Sequence, residues 1–415
     1  MASMFEVQRD VCALVLPRTG RVVRGGDVVP WLAIDARGVT IEPINRFLRD
    51  FVAQGNSAGS VRSYAYVLQR WWRFLAVVEV RWDRATATET RDLVLWMMRS
   101  AKPDSAMRPA GARRVGVNPV TRKRYLDDGY QPRTIRHNNA VLRSFDEYWI
   151  ERGEGPLLNP VPRDRVRGGR PNAHHNPLEP FRPEGRLRYN PPVPKRAPRA
   201  MPDERWDDLF GSLRSDRDRA LLALAISTAA RASELLGISG GDVDWGDQLV
   251  RVRRKGTRAE QWLPASPESF MWLRLYLSEF APRSPGSTLW WTLRRRSLGD
   301  EPLAYRPLTY DALRAMLRRA NDLLGANWTM HDLRHTCALR MVRDEGLSMR
   351  DVQTILGHAH LSTTEIYLEE DDLEVIRRVH QHLNNRRDAD SAAAPTAAHG
   401  YDIADLDVLL GGAPR

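Results

Sequence analysis

The sequence predicts a mainly α-helical fold of two domains, with a small antiparallel β-hairpin in the second domain. Three observations support this fold class. Apolar residues recur at helical spacing in two long stretches, 41–158 and 201–387. Proline and basic residues dominate the segment between them, 159–200. The run LVRV at residues 249–252 has strand character and precedes the turn sequence KGTR, as expected for a hairpin.

Length and charge restrict the class of protein. A chain of 415 residues exceeds the size at which single cores stop growing, about 250–300 residues, so two domains are expected. The formal net charge is +11, from 63 Lys and Arg against 52 Asp and Glu, and the isoelectric point is near 10.0. A polyanion is therefore the leading partner, although a biased genome composition explains the net charge alone equally well.

Cysteine usage and hydropathy favour a cytoplasmic protein. Cys12 and Cys337 are the two cysteines of the chain and lie in unlike contexts, so neither a disulfide framework nor a zinc site is expected. The longest apolar run, 220–230, is much shorter than the roughly 20 residues of a membrane span and predicts a buried helix. The first residues lack the layout of a signal peptide, and no membrane association is expected.

The first half of the chain is predicted to contain a short arm and a helical domain. Residues 1–40 alternate apolar and polar positions around glycine and proline, which predicts short strands or an extended arm. Residues 41–158 form the next domain, of four helices. Its apolar helix faces are formed by Ile44, Phe47, Phe51, Tyr64, Leu68, Trp71, Leu75, Ile135, Leu142, Phe145 and Trp149.

Two basic segments belong to this half. Residues 101–130 form an insertion whose prolines and glycines exclude one long helix, and residues 159–200 form a linker. Residues 161–200 contain ten Arg and Lys, three Asp and Glu and nine prolines, so they cannot bury a core. Solvated charge explains such segments about as well as phosphate contact does. The candidate DNA-contacting residues are Arg113, Arg114, Arg122, Lys123, Arg124, Arg163, Arg165, Arg167 and Arg170.

The second domain, 201–387, is predicted to begin with three helices, at 203–213, 216–228 and 232–236. A hairpin of strands at 248–254 and 261–264 comes next, and then further helices. Residues 388–415 have the composition of a flexible tail. Ile403, Leu406 and Leu410 have helical spacing there, which is consistent with a docking helix or with a frayed end.

A histidine and arginine pair marks the first candidate for chemistry. His331 and Arg334 are three residues apart and share one face of a predicted helix, and His335 lies one turn beyond His331. An HxxRH pattern alone carries little weight, because a histidine near a helix start usually bonds to the backbone. The residues downstream of this helix give the pattern its meaning.

A second histidine and a tyrosine lie downstream at fixed spacing. Ser348 and Asp351 predict a capping box at a helix start, and Gly357 predicts a left-handed end to the same helix. His358 is thereby placed just beyond a helix terminus. Tyr367 comes nine residues later, at the start of a new short helix. Taken singly, His358 is explained by helix capping and Tyr367 by core packing.

Two basic residues upstream complete the set. Arg231 interrupts an apolar helical region, where a guanidinium needs an anionic partner. Glu234 is a candidate for that partner in a structural ion pair, and a phosphate is the functional alternative. Lys255 lies at the predicted hairpin turn, where a lysine is most often only solvated.

These residues resemble the motifs of the tyrosine recombinase, or phage integrase, family. The resemblance rests on four segments in a fixed order: TAARASELLGI, RKGTR, HDLRHTCAL and LGHAHLSTTEIY. It covers 200–386 and, by helical pattern alone, 41–155. It implies a two-domain DNA clamp in which a helical core-binding domain precedes a mixed α/β catalytic domain. Ala229 and Ala230 are a departure, since the family commonly has Gly and Leu there.

The resemblance assigns a role to each matched position. The six positions are Arg231, Lys255, His331, Arg334, His358 and Tyr367. The two arginines would hold the scissile phosphate, and the tyrosine would be the nucleophile. Attack by a tyrosine, whose ordinary pKa is about 10, needs nearby positive charge and a proton acceptor, a role suited to His331. Lys255 would then protonate the leaving 5′ oxygen, and His358 would donate to a phosphate oxygen.

The resemblance implies a site-specific recombinase, or integrase, of the mobile-element type. It would cleave and rejoin DNA through a 3′-phosphotyrosine intermediate and a Holliday junction, without ATP, metal or another cofactor. The expected partners are double-stranded DNA, three further copies in a tetramer that exchanges C-terminal helices, and accessory or directionality factors. The helix exchanged would present Leu373, Ile376, Val379 and Leu383, although packing of this face on its own domain explains the same spacing. A nucleoid-associated, cytoplasmic location is expected. A type IB topoisomerase and a regulatory protein on a decayed recombinase scaffold are the alternatives.

Overall fold

The computed structural model describes residues 9–102, 116–125, 128–164, 185–194, 200–280, 286–295, 297, 302–358, 360–367 and 380. The described chain is mostly helical with two small antiparallel sheets, which confirms the predicted fold class. It divides into two compact units: Met1–Gly116 with Tyr125–Lys195, and Val117–Arg124 with Arg196–Arg415. None of the helices in the described ranges has the length and apolar character that crossing a bilayer requires.

Several predicted features fall outside the described residues. Among the candidate DNA contacts these are Arg113, Arg114, Arg165, Arg167 and Arg170. The same holds for the helix face of Leu373, Ile376, Val379 and Leu383, and for the spacing at Ile403, Leu406 and Leu410.

The first unit combines a β-hairpin with four helices. Strand β1 (Arg21–Arg24) pairs antiparallel with β2 (Trp31–Ile34), with Arg21 opposite Ile34. The helices are α1 (Glu42–Ala53), α2 (Ala58–Val77), α3 (Ala87–Arg99) and α4 (Pro132–Ile150). Ser57 caps α2, and a capping box of Thr86 and Glu89 begins α3, so polar residues define these helix starts.

The core of the first unit is aromatic. Trp71, Phe74, Phe145 and Trp149 are fully buried, on the faces that the helical spacing predicts. The hairpin is part of this unit: the Asn45 side chain of α1 bonds to both the N–H and the carbonyl oxygen of Ala33, at 2.9 Å each. Residues of the first forty that the structure describes therefore pack on the helical bundle.

The second unit contains seven helices and a three-stranded sheet in the described ranges. The helices are α5 (Asp203–Gly211), α6 (Asp216–Thr228), α7 (Ala232–Leu236), α8 (Pro267–Glu279), α9 (Tyr310–Leu324), α10 (Met330–Val342) and α11 (Met349–Leu356). The sheet has the order β3 (Val243–Asp244), β4 (Leu249–Arg253) and β5 (Glu260–Pro264), and Arg253 pairs with Glu260 at the hairpin turn. Single 3₁₀ turns at Leu361–Thr363 and Glu365–Tyr367 come after α11.

Helix α6 is the central element of this unit. The apolar run that predicts a buried helix is buried on every side, from Ala220 to Ala225. Next to its C-terminus, a separate small cluster joins Ala229, Cys337, Leu356 and Tyr367. This second cluster positions the candidate site, because it joins the end of α6 to α10, α11 and the segment that carries the tyrosine.

The middle of the basic insertion belongs to the second unit. Residues 117–124 lie against the loop before α10, where Asn118 Nδ2 donates to the carbonyl oxygen of Gly325 at 2.8 Å and Thr121 bonds to Asn327. Val120 packs on the core of the unit. The prediction placed the whole insertion, 101–130, in the helical domain, so the structure differs for these eight residues. Periodicity gave no signal for them because they form turns.

Candidate active site

Arg334 is the buried centre of the candidate site. It lies in the first half of α10, which begins at a capping box of Thr329 and Asp332, and its exposed fraction is 2%. Its Nη1 donates to the carbonyl oxygen of Ala229 at 2.6 Å, and its Nη2 donates to that of Leu356 at 2.7 Å. Burial and the nearby Arg231 lower the pKa of Arg334 to about 10, so it stays charged at neutral pH.

The carbonyl of Ala229 is available because this residue adopts a left-handed conformation. Ala229 ends α6 with φ +53° and is fully buried. A non-glycine residue in this region costs roughly 1–2 kcal/mol, which accounts physically for the glycine that the family commonly has here. The departure noted in the sequence therefore leaves the backbone turn in place, at the cost of local strain.

Glu234 organises the basic residues beside Arg334. Its carboxylate, 2% exposed, accepts from Arg231 Nη1 at 2.8 Å and from the backbone N–H of Arg231 at 2.9 Å. It also accepts from Arg254 Nη1 at 3.1 Å and from the backbone N–H of Lys255 at 3.1 Å. Burial raises the pKa of Glu234, but these bonds outweigh that effect and hold the pKa below its ordinary value. The ionised carboxylate thus joins α7 to the hairpin.

Arg254 links the hairpin to the end of α11. Its guanidinium is buried, donates to Gln261 Oε1 at 2.8 Å and donates to the carbonyl oxygen of Ile355 at 2.5 Å. Gly357 approaches it so closely that a Cβ there would lie 2.8 Å from Arg254 Nε, and the φ of Gly357 is +60°. Both facts favour glycine here, because a side chain would add backbone strain and displace the Arg254 guanidinium. Lys255, by contrast, is exposed at the turn, with its backbone fixed by Glu234.

His358 is held between Arg334 and Thr364. Arg334 Nη2 lies 3.1 Å from His358 Nε2, and His358 Nδ1 lies 3.0 Å from Thr364 Oγ1. Because a guanidinium only donates, His358 Nε2 accepts, and the proton of the neutral ring lies on Nδ1. Burial together with Arg334 and Arg231 lowers the pKa of His358 to about 4. In this arrangement His358 accepts a hydrogen bond at Nε2, rather than presenting a donor to a phosphate.

The tyrosine hydroxyl bonds to His335. Tyr367 is 5% exposed, and its Oη lies 2.9 Å from His335 Nδ1. Burial raises the pKa of Tyr367, although Arg334 and Arg231 oppose this effect. Burial and the neighbouring His331 lower the pKa of His335 to about 4. The His335 ring is therefore neutral at neutral pH, and the phenol, a stronger acid than a neutral imidazole, is the donor.

His331 lies beside this pair. The residue as a whole is exposed, while its partly covered ring has its centroid 4.1 Å from that of His335 in an edge-to-face arrangement. Loss of solvation and the charge of Arg334 lower the pKa of His331. Lys123 reaches the same helix from the inserted segment: its Nζ lies 2.5 Å from Asp332 Oδ2 and 2.9 Å from the carbonyl oxygen of Asn327.

The structure thus brings together five of the six predicted positions through direct contacts or a shared neighbour. These are Arg231, His331, Arg334, His358 and Tyr367. The side chain of the sixth, Lys255, is exposed beside them. Of the candidate DNA contacts, Arg122 and Arg124 are exposed in the second unit, Arg163 lies in the first, and Lys123 pairs with Asp332.

Sequence reasoning missed the tyrosine contact of His335 and the central position of Glu234. His335 lies four residues after His331, so helical spacing alone indicated that it shares a face with the candidate residues. Across the described residues, no group of three or more His, Cys, Asp or Glu side chains is arranged to hold a metal ion.

Comparison with known proteins identifies the class. The model of the phage integrase family matches residues 207–374. The tyrosine recombinase XerD of Xanthomonas campestris pv. campestris is 30% identical over 255 residues, which cover 57% of this chain and 68% of the relative. The tyrosine recombinase XerD of Proteus mirabilis is 25% identical over 349 residues, covering 81% of this chain and 92% of the relative.

Solved structures show the same fold. The integrase of transposon Tn1549, in complex with circular intermediate DNA, aligns with a TM-score of 0.52 at 14% identity, over 81% of this chain and 98% of that one. A lambda integrase dimer bound to a core site aligns with a TM-score of 0.51 at 13% identity, over 79% of this chain and 94% of that one. The fold and the site define an integrase-type catalytic domain. The chain belongs to the tyrosine recombinase, or phage integrase, family, and it is an enzyme of that class.

Proposed function

We propose that this enzyme is a site-specific DNA recombinase that cleaves and rejoins DNA through a 3′-phosphotyrosine intermediate. The observation that carries the proposal is the common site of Arg334 and Tyr367: the arginine is anchored by the carbonyl oxygen of Ala229, and the next residue of the same helix, His335, lies 2.9 Å from the tyrosine hydroxyl. A nucleophile, permanent positive charge and a proton acceptor are the components that phosphoryl transfer by a tyrosine requires.

Each basic residue has a distinct role in this proposal. Arg231 and Arg334 bind the non-bridging oxygens of the scissile phosphate, where charge accumulates in the transition state. Three of the five N–H groups of Arg334 donate to Ala229, Leu356 and His358, so its orientation is set before substrate arrives. Tyr367 attacks the phosphorus, and Lys255 protonates the leaving 5′ oxygen. The phosphotyrosine bond preserves the energy of the broken bond, so rejoining needs neither ATP nor metal.

His358 must change its hydrogen bond to act on the phosphate. Its Nε2 now accepts from Arg334 Nη2 at 3.1 Å. When a phosphate oxygen takes over that N–H of Arg334, Nε2 can carry a proton and donate to a second phosphate oxygen. Thr364 Oγ1, at 3.0 Å from Nδ1, then keeps the ring in place.

The remaining parts of the chain are assigned to DNA and to assembly. We propose 41–158 as the core DNA-binding domain, 159–200 as a basic linker, 201–387 as the catalytic domain and 388–415 as a tail. Residues 1–40 are proposed as a β-containing arm. Arg122, Arg124 and Arg163 are proposed as phosphate contacts. The matched Tn1549 and lambda integrase structures are described as DNA complexes, which supports double-stranded DNA as the partner.

Recombination requires that two DNA sites be paired. We therefore propose a homotetramer on DNA, exchange of C-terminal helices, a Holliday-junction intermediate, and accessory or directionality factors for an integrase of the mobile-element type. A nucleoid-associated, cytoplasmic location is expected from this function.

The test is covalent capture. Wild-type protein is incubated with a nicked duplex library of randomised sequence, and DNA that stays attached after denaturation is recovered. We expect a selected duplex whose 5′-labelled strand remains on the protein, while the released fragment has a 5′ hydroxyl. Tyr367→Phe should yield no adduct. An adduct formed by Tyr367→Phe would refute the nucleophile, and no adduct from wild type would favour a DNA-binding protein without chemistry.

The selected duplex also separates recombination from topoisomerase activity. Two copies of the site, carried on different DNA molecules, should give joint products with wild type. A type IB topoisomerase would instead relax supercoiled plasmid without such products and without dependence on the selected site.

A further inference from the structure

The proton of the Tyr367 hydroxyl must leave when the oxygen attacks phosphorus, and a nitrogen of His335 lies within hydrogen-bond distance of that hydroxyl. Tyr367 Oη lies 2.9 Å from His335 Nδ1, and the ring centroids are 5.5 Å apart. We propose that His335 is a catalytic residue that takes the proton of Tyr367 during cleavage and returns it during rejoining. This inference rests on the proposed function, because it assigns one step of the same reaction.

Local structure fixes this contact. His335 lies in the second turn of α10, which begins at the Thr329–Asp332 capping box, and both neighbours in the chain, Arg334 and Thr336, are buried. Tyr367 packs in the small cluster that α10 and α11 form with the end of α6. Both partners of the hydrogen bond are thus positioned by packing, as a group that acts on a reacting atom requires.

The resemblance to the family assigns the role of proton acceptor to His331. The geometry instead favours His335, one helical turn further along α10, because its Nδ1 lies 2.9 Å from the tyrosine hydroxyl. His331 is an exposed residue, and its ring packs edge to face on that of His335, with 4.1 Å between the centroids. Two imidazolium rings at this distance repel each other. His335 can therefore accept a proton only while His331 is neutral. In this way the protonation state of His331 influences the reaction through its effect on His335.

The charged groups around His335 explain why the proton stays on the tyrosine at rest. On α10 these groups are His331, Asp332 and Arg334, and Lys123 faces it from the 117–124 segment. Burial, His331, Arg334 and Lys123 lower the pKa of His335, and Asp332 opposes them. A phosphodiester bound between Arg231 and Arg334 adds a negative charge, which favours an imidazolium nearby.

The proposed step is balanced. The Oη–P bond forms as the P–O5′ bond breaks, the phenolic proton moves to Nδ1 of His335, and O5′ leaves with a proton from Lys255. Rejoining reverses each transfer: the 5′ hydroxyl attacks, its proton returns to Lys255, and the departing phenolate oxygen recovers its proton from His335. No oxidant, reductant or metal takes part in this exchange.

The experiment separates proton transfer from positioning. His335→Asn keeps a hydrogen-bond acceptor near the position of Nδ1 but cannot take a proton. The rate of adduct formation on the selected nicked duplex is measured from pH 6 to 9 for wild type, His335→Asn, His331→Asn and the matched control His360→Asn, an exposed histidine of the same region. Binding to the intact duplex is measured in parallel.

We expect His335→Asn to bind DNA normally and to cleave about 10²–10⁴-fold more slowly near pH 7. Its deficit should shrink as the pH rises, because hydroxide replaces the missing acceptor. The deficit of His331→Asn should not depend on pH in this way, and His360→Asn should match wild type. A His335→Asn deficit that is equal at every pH, or a pH-dependent deficit that appears in His331→Asn instead, would overturn the proposal.

Imidazole rescue provides a second test if His335→Asn folds poorly. Added imidazole should increase the rate of cleavage by His335→Ala and leave the rate of wild type unchanged. The increase should be larger above the pKa of free imidazole, where the neutral base predominates. Folded His335→Ala that imidazole fails to rescue would argue against proton transfer. Failure of wild type to form any adduct is a different result, since it contradicts the proposed function rather than the role of His335.

Discussion

Arg334 and Lys255 both bring positive charge to the candidate active site, but folding fixes them to different degrees. The guanidinium of Arg334 is 2% exposed and is bonded to the carbonyl oxygens of Ala229 and Leu356. Lys255 has a fixed backbone N–H, 3.1 Å from Glu234 Oε1, and an exposed side chain. The fold therefore orients the charge of Arg334 before any DNA binds, whereas it fixes only the backbone of Lys255 and leaves the side chain exposed.

The largest effect is expected at the buried residue. Arg334→Lys should reduce adduct formation by at least about 10²–10³-fold, because the transition state loses a fixed pair of donors. It should also lower the thermal unfolding midpoint, because two buried carbonyl oxygens lose their partners, at roughly 1–3 kcal/mol each. Arg340→Lys, on the exposed side of α10, is the control and should change neither quantity. An unchanged unfolding midpoint for Arg334→Lys would show that Arg334 does not anchor the site.

At the hairpin turn, a substitution of Lys255 should change the cleavage rate without changing the stability of the protein. Lys255→Ala should slow cleavage by about 10²–10⁴-fold, with the unfolding midpoint unchanged, because the side chain is exposed. A duplex with sulfur in place of the bridging 5′ oxygen should restore the rate, since a thiolate leaves without a proton. Arg253→Ala, 73% exposed in its side chain, is the neighbouring control. A thio-substrate that fails to rescue Lys255→Ala would refute the acid role.

The buried histidines predict how stability depends on pH. The pKa values of His335 and His358 are about 4 in the folded protein, against an ordinary value of about 6.5 in the unfolded chain. Between these values the unfolded state binds more protons, so stability is full above about pH 6.5 and falls as the pH decreases toward 4. Thermal unfolding between pH 7.5 and 4.5 should show this loss. The His335→Asn, His358→Gln double variant should lose less.

The smallest effect is expected at Lys123. This residue is predicted as a DNA contact, and in the structure it forms a partly exposed ion pair with Asp332. Lys123→Met should therefore change cleavage by no more than about fivefold. The slope of DNA affinity against salt concentration should stay that of wild type. A slope smaller by about 1 would instead identify Lys123 as a phosphate contact.

The sequence was most informative where a local rule decides the conformation. Helical spacing located α6 and its burial, the Ser348–Asp351 capping box begins α11, and Gly357 ends it with φ +60°. These features depend on residues near in sequence, so motif order and capping rules were sufficient to predict them.

Contacts between distant residues were not predictable from such rules. The bond of His335 to Tyr367 spans 32 residues, and that of Lys123 to Asp332 spans 209. Motif matching favoured His331 as the proton acceptor because His331 is the histidine that matches the family motif. In the structure, His335 in the next turn of the same helix contacts the Tyr367 hydroxyl. The placement of 117–124 in the second unit had no periodic signal either, since only tertiary packing determines where a turn segment lies.

Peptide mapping of the covalent adduct is the direct test of whether Tyr367 is the nucleophile of a phosphoryl-transfer site. The adduct with the selected duplex is treated with nuclease and trypsin, and the nucleotide-bearing peptide is sequenced by mass spectrometry. Tyr367 is the one tyrosine of the tryptic peptide 351–377. We expect a nucleotide joined through its 3′ phosphate to Tyr367 of this peptide. A nucleotide on any other residue, or on a serine of the same peptide, would contradict it.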